Sequence, residues 1–334
     1  MSVRVAVIGA GVMGADHARI LAEAVPGASL KVICDQDGET ARRVADSCGA
    51  ADAATDGMAV VRREDVDAIV IASPDPTHVP LSKLCIELGK PVLCEKPLSQ
   101  SSAECIEVMQ AEMAAGRKLV QVGFMRRYDQ PYQEMRQSIA ATALGRILMM
   151  HNFHRNVATP YAAFTGAMAI TNSAPHEFDI VRHVLGTEFT RISAWQPKRT
   201  DDVVAPVVMV LETADDQLVT VEVNNNAAYG YDVRAELIGE RGSMTMSPPV
   251  HTRLDRDFTS ASRYHPDWRA PYEDAYRRQN IDFVRFAAGG PFPSTAASCW
   301  DGYCAARVAE AGVKALADGA GVAIKMIDRP DFYR

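Results

Sequence analysis

A chain of 334 residues, 48% of them hydrophobic, is long enough for two domains with a core in each. Its formal net charge of −7, with no lysine/arginine block to reverse it locally, argues against a nucleic-acid partner and against an anionic membrane surface. The seven cysteines are odd in number, scattered and without a C-x-x-C pair, which fits reduced thiols in a cytoplasm rather than a disulfide framework or a structural zinc site.

The first apolar run, Val3–Ile8, reads as a strand. It leads into Gly9-Ala10-Gly11-Val12-Met13-Gly14, and a helix over residues 15–24 leads out. The glycines have distinct physical roles. Gly9 turns the chain tightly, Gly11 removes a Cβ from the path of a pyrophosphate, and Gly14 lets helix and strand pack closely. The helix N-terminus offers free N–H groups and partial positive charge to phosphates. A second strand, residues 30–34, ends at Asp35, about 20 residues past the glycines, where a carboxylate accepts hydrogen bonds from an adenosine ribose. No hydrophobic region of a signal peptide fits before Gly9 and no apolar run is long enough to span a bilayer, so an intracellular, cytoplasmic protein is expected.

The alternation continues. A helix is expected over 39–48, a buried strand over 68–72, and a loop from Ser73 to His78. A helix over 80–88 then ends at Gly89, and a strand over 91–94 runs into Glu95-Lys96-Pro97. A helix over 103–115 stops at Gly116 and a strand over 119–124 follows. Strands and helices in series predict a doubly wound parallel sheet, here placed at residues 1–123. The pattern then changes over 124–334. After a helix at 130–141 come period-two segments at 147–154, Phe189–Trp195, 207–212, 217–225, 232–238 and 243–246, with Glu240-Arg241-Gly242 as a hairpin turn. These predict a mainly antiparallel open sheet with one face wet or facing a partner. Helices at 272–288 and 298–318 and a last strand at 322–326 close an α+β domain. Residues 248–271 show little periodicity and read as a long ordered loop.

The dinucleotide site supplies half of a dehydrogenase; the other half needs a proton acceptor and a grip on a substrate hydroxyl. Lys96 follows a strand at the carboxyl edge of the parallel sheet, where ligands of such sheets bind, and an ammonium there stabilises alkoxide character. A second constellation lies in His176-Glu177-Phe178-Asp179-Ile180-Val181-Arg182-His183. Asn172 or Ser173 is expected to cap this helix, Pro175 suits its first turn, and Gly186 ends it. Spacings of three and four put His176, Asp179 and His183 on one face, with Phe178, Val181 and Leu185 nearly opposite. His183 is then the candidate general base, and Asp179 orients it or grips a second hydroxyl. Two other readings fit the spacing: a solvated polar face, and three ligands for a metal. The metal is set aside because a nicotinamide already accepts the hydride. Arg126, Asp129, His154, Asn156, Tyr231 and Tyr276 are further residues able to line a polyol site. His17, His78 and His151 read as ordinary histidines. Arg42 and Arg43 are placed to meet a 2′-phosphate, but Asp35 would repel it, so NAD is expected over NADP.

These residues carry a resemblance. The Gly9–Gly14 loop, Glu95-Lys96-Pro97 and Asp179-x-x-x-His183 together resemble the Gfo/Idh/MocA oxidoreductase family. The strings Phe124-Met125-Arg126-Arg127-Tyr128-Asp129 and His154-Arg155-Asn156 resemble its inositol-oxidising members, as do Tyr229-Gly230-Tyr231-Asp232 and Trp300-Asp301-Gly302-Tyr303. The resemblance implies an NAD-binding Rossmann domain and an open-faced sheet used to assemble a homotetramer. It implies NAD-dependent oxidation of one ring hydroxyl of myo-inositol or a close cyclic polyol. It makes Lys96, Asp179 and His183 the catalytic set, and Arg126, His154, Asn156, Tyr231 and Tyr276 substrate contacts beside them. The cofactor set becomes Gly9, Gly11, Val12, Met13, Gly14, Asp35, Ser73, His78, Glu95 and Lys96. Residues 156–172 depart from the family pattern, which leaves open another inositol epimer or an aldose; an NAD-dependent glycosidase on the same fold and a non-catalytic NAD-binding sensor are the rival readings.

Overall fold

The computed structural model describes residues 2–201, 203–247 and 253–334. The elements of the first part are β1 (Val3–Ile8), α1 (Val12–Ala24), β2 (Ala28–Cys34), α2 (Gly38–Cys48), β3 (Asp52–Ala54), α3 (Gly57–Val61), β4 (Ala68–Ile71), α4 (His78–Glu87), β5 (Val92–Cys94), α5 (Ser102–Ala115) and β6 (Val120–Val122). Six parallel strands lie in the order β3-β2-β1-β4-β5-β6, which is the order of a dinucleotide-binding sheet. Its central strands are covered on both faces: Val5, Ala6 and Val7 of β1 and all of β4 are inaccessible to water. Such strands must be nearly continuous apolar runs, as these are. β3 and α3 are not legible as sequence patterns, because each is short and lacks a clear apolar period.

The second part comprises α6 (Gln130–Ala140), β7 (Ile147–Arg155), α7 (Gly166–Met168), α8 (Pro175–Leu185), β8 (Phe189–Trp195), β9 (Val207–Thr213), β10 (Leu218–Asn224), β11 (Asp232–Gly239), β12 (Gly242–Thr245), β13 (Arg253–Arg256), β14 (Thr259–Ser262), α9 (Arg269–Ala287), α10 (Cys299–Asp318) and β15 (Val322–Ala323). A seven-stranded sheet runs β12-β11-β7-β10-β9-β8-β15, antiparallel at every pairing except β7 with β10. Alternation sets its two faces. Val207, Met209 and Leu211 of β9 and Val219, Val221 and Val223 of β10 turn inward into one core with Phe178, Val181 and Val184 of α8, while Val208 and Leu218 stay exposed.

Two expectations need correction. The expected loop over 248–271 lies partly outside the described residues; the rest contains the β13–β14 hairpin, whose residues are all exposed. Its strands pack no apolar face, so no hydrophobic period announces them. Neither Asn172 nor Ser173 caps α8. The chain enters through a wide π-type turn, Ala169–Ser173, and Ala174 stands at the cap without a side-chain bond. Ser173 Oγ instead accepts a hydrogen bond from Asn225 Nδ2 (3.1 Å). The chain forms two compact units. One compact unit is Met1–Tyr128 with Asp274–Ala306 and Asp328–Arg334; the other is Asp129–Glu273 with Arg307–Ile327. The returning segments are tied into the first unit by long-range bonds: Val122 N–H donates to Ala297 O (2.9 Å), Arg127 pairs with Asp301 (2.9 Å), and Tyr333 OH donates to Glu112 (2.6 Å).

Candidate active site

β1 delivers the chain into the glycine turn. Gly9 has φ of +95°, a left-handed backbone that L side chains rarely adopt, and a Cβ there would lie 2.5 Å from the Ala72 carbonyl carbon and the Ser73 nitrogen. A Cβ on Gly14 would overlap the Gly9 carbonyl oxygen. A Cβ on Gly11 would meet no protein atom within 4 Å. Two glycines are therefore required by the chain's own packing, and the third keeps space open at the start of α1. That is the fit expected for a bound pyrophosphate.

Beside this turn lies a cavity of about 720 Å³, lined by Gly9, Gly11, Asp35, Asp56, Ser73 and Thr77 among others. Asp35 stands at the end of β2. Its Oδ2 accepts from Ala10 N–H (2.7 Å) and its Oδ1 from Asp37 N–H (3.0 Å), so the carboxylate is anchored in the wall. Among the described residues its lining contains no lysine or arginine, so these offer hydrogen-bond acceptors to a ribose diol and no cation to a 2′-phosphate. Of the other expected cofactor residues, Val12 is exposed in the first turn of α1, Met13 lies beside Tyr276 (Sδ to hydroxyl 3.8 Å), and His78 is buried.

Lys96 follows β5, across a cis peptide bond to Pro97. Burial is the main influence on its amine and pulls its pKa below the ordinary lysine value; Glu95 and Asp75 work against this, and the Arg126 guanidinium adds to it. Lys96 and Arg126, both nominated from sequence, thus feel one another directly. Glu95 is held in place: its Oε1 is 2.9 Å from His17 Nε2, and its Oε2 accepts from the Lys96 N–H (3.2 Å). His17 in turn contacts Asn280, whose amide donates to Tyr276 O (2.8 Å), and the Tyr276 ring stands edge-on to His17 at 5.6 Å. Tyr276, expected at the substrate, is therefore in a cluster with Met13 and His17.

In the second unit α8 carries His176, Asp179 and His183. Asp179 is buried and the two histidines are half-buried. His154, near the end of β7, has its Nδ1 2.9 Å from Oε1 of the fully buried Glu177, and its ring centroid lies 6.2 Å from that of His176. Asn156 is fixed through its backbone, donating to Asn224 O (2.8 Å) and accepting from Ala227 N–H (2.9 Å). Tyr231 is buried, its N–H donating to His265 O (2.8 Å) and its ring edge-on to Tyr272. The expected set is thus distributed: Lys96, Arg126 and Tyr276 belong to the first unit, and His154, Asn156, Asp179, His183 and Tyr231 to the second. Among the described residues no group of three His, Cys, Asp or Glu is arranged to hold a metal ion. No helix among them is long and apolar enough to cross a membrane. Sequence reading misses His17 and Glu177 as partners of Glu95 and His154. Glu177 sits directly beside a nominated histidine, but the helical period gives no hint that its carboxylate reaches a strand.

The fold and the cavity define an oxidoreductase with an NAD-binding Rossmann domain. Residues 3–124 match the model described as "Oxidoreductase family, NAD-binding Rossmann fold" and residues 132–245 match the GFO/IDH/MocA C-terminal domain. The chain belongs to the Gfo/Idh/MocA family and is an NAD-dependent dehydrogenase. It is similar to inositol 2-dehydrogenase 1 of Saccharopolyspora erythraea, 41% identical over 100% of this chain and 99% of that one. It is 37% identical to inositol 2-dehydrogenase of Burkholderia ambifaria over 100% of both chains. The crystal structure of myo-inositol dehydrogenase from Lactobacillus casei, in complex with NAD(H) and myo-inositol, has a TM-score of 0.94 to this chain at 28% identity, covering 100% of both.

Proposed function

We propose that this dehydrogenase oxidises one ring hydroxyl of myo-inositol, or of a close cyclic polyol, to the ketone. The observation that carries the reading is the place of the half-buried Lys96 directly after β5, at the carboxyl edge of the same parallel sheet whose β1 runs into the glycine turn, with Arg126 acting on its amine. Full-length similarity to relatives named inositol 2-dehydrogenases supports the substrate class. NAD, when bound, supplies the hydride acceptor. Gly9, Gly11 and Gly14 admit its pyrophosphate and Asp35 accepts from its ribose hydroxyls. Lys96 hydrogen-bonds the reacting oxygen and stabilises its developing negative charge. His183 accepts the hydroxyl proton, and Asp179, one turn away on α8, positions His183 or binds the neighbouring hydroxyl. Arg126, His154, Asn156, Tyr231 and Tyr276 contact the remaining hydroxyls in this reading. A cytoplasmic homotetramer, assembled through the open face of the seven-stranded sheet, belongs to the same proposal. The test is NADH formation across myo-, scyllo- and chiro-inositol and aldoses. Turnover with myo-inositol supports the reading, and turnover with aldoses alone moves the substrate elsewhere.

A further inference from the structure

His78, the first residue of α4, is 1% exposed. Both of its ring nitrogens face backbone carbonyl oxygens: Nδ1 is 2.7 Å from Pro97 O and Nε2 is 2.8 Å from Ser73 O. A carbonyl oxygen only accepts, and a neutral imidazole carries one N–H. In either neutral tautomer one of these contacts would set lone pair against lone pair. Both are satisfied together only when both nitrogens carry protons. We propose that His78 is a standing imidazolium that bolts the loop after β4, at Ser73, to the turn after β5 that carries Lys96, and is thereby a positioning residue for the reaction.

The two segments it joins have different duties. Ser73 lines the cofactor cavity, and Pro97 follows Lys96 directly. Fixing one against the other fixes the amine relative to the bound dinucleotide. From the other side, Glu95 is held by His17, so both chain neighbours of Lys96 are gripped by buried histidines. A buried cation is costly unless hydrogen-bonded, and bonds from a charged donor are about twice as strong as neutral ones. Of the elements packed on α4, β5 brings Cys94 to the ring, and the preceding turn carries Asp75, engaged by Gln100 Nε2 (2.8 Å). Burial acts to lower the His78 pKa, but Cys94 and the two carbonyls outweigh it and raise it to about 10.

The positioning role rests on the reading of Lys96 as catalytic; the protonation state does not, and the experiments separate the two. Full-length wild-type protein labelled with 15N-histidine is followed by NMR from about pH 6 to about pH 9, with His78→Gln giving the assignment. The expected spectrum shows two protonated ring nitrogens for His78 across the range. A single N–H at about pH 8 overturns the imidazolium whatever the substrate. His78→Gln, whose amide N–H group serves one carbonyl, is expected to lower kcat about tenfold at saturating NAD and polyol, the scale of one lost charge-assisted bond, with the KM for polyol little changed. A folded His78→Gln enzyme with unchanged kcat overturns the positioning role. If that variant does not fold, the wild-type spectrum still decides the protonation state, and His78→Asn repeats the kinetic arm.

Discussion

Glu177 on α8 sets its Oε1 2.9 Å from Nδ1 of His154 on β7, with both side chains buried. The carboxylate holds the ring orientation and favours a proton on Nδ1. Glu177→Gln keeps an oxygen acceptor in the same place and is expected to raise the KM for polyol about tenfold with a small change in stability. Glu177→Ala removes the partner of a buried histidine and is expected to cost about 3–5 kcal/mol. Steady-state kinetics and urea denaturation check the pair; equal loss of stability in both variants would show that the contact serves packing only.

Lys96→Ala is expected to reduce kcat by about 10²–10³-fold, the usual scale for one lost group that stabilises charge in the transition state. NAD affinity, read by calorimetry, is expected to stay close to wild type. Near-normal turnover in the variant would remove Lys96 from the mechanism.

Asp35→Ser is expected to weaken NAD by about ten- to a hundredfold and shift the NAD-to-NADP ratio toward NADP, because a charged acceptor for the ribose diol is gone and the repulsion of a 2′-phosphate is reduced to that of Asp56. The ratio of kcat/KM for the two cofactors measures it. An unchanged ratio would contradict the role given to Asp35.

The raised pKa of His78 has a consequence for stability against pH. A histidine lifted from about 6.5 in the unfolded chain to about 10 in the fold binds more protons when native. Its contribution is complete below about pH 6.5 and fades as pH climbs through about 10. The stability gap between wild type and His78→Gln is expected to narrow over that window in denaturation measured pH by pH. A gap constant from neutral to alkaline pH would contradict it.

Glu112 is buried on α5 and accepts from Leu119 N–H (2.6 Å), Val120 N–H (2.7 Å) and Tyr333 OH (2.6 Å). Burial raises its pKa, and these donors oppose the rise. Tyr333→Phe takes one donor from a buried carboxyl and is expected to cost about 1–3 kcal/mol, checked by urea denaturation. No loss of stability would mean that the C-terminal turn contributes nothing to the first unit.

The first unit is legible in the sequence because local signals agree there: apolar runs fix the buried strands, and Gly9, Gly14 and Asp35 serve purposes that follow from backbone geometry. Strand alternation likewise exposes β8 to β11. What escapes such reading is long-range. The return of residues 274–306 and 328–334 to the first unit depends on bonds such as Arg127 to Asp301, which no periodicity encodes. From sequence His17 and His78 both look ordinary, because a histidine's partners lie across the fold: Glu95 is 78 positions from His17 and Pro97 is 19 from His78. The β13–β14 hairpin is hidden for the opposite reason, having no buried face to impose a pattern.

The most direct test of the central claim is NADH accumulation by purified wild-type protein given NAD and free myo-inositol, with Lys96→Ala alongside. Steady NADH formation by the wild type and its near-abolition in the variant are the predicted results. Binding of NAD without NADH formation from any inositol epimer would contradict the claim.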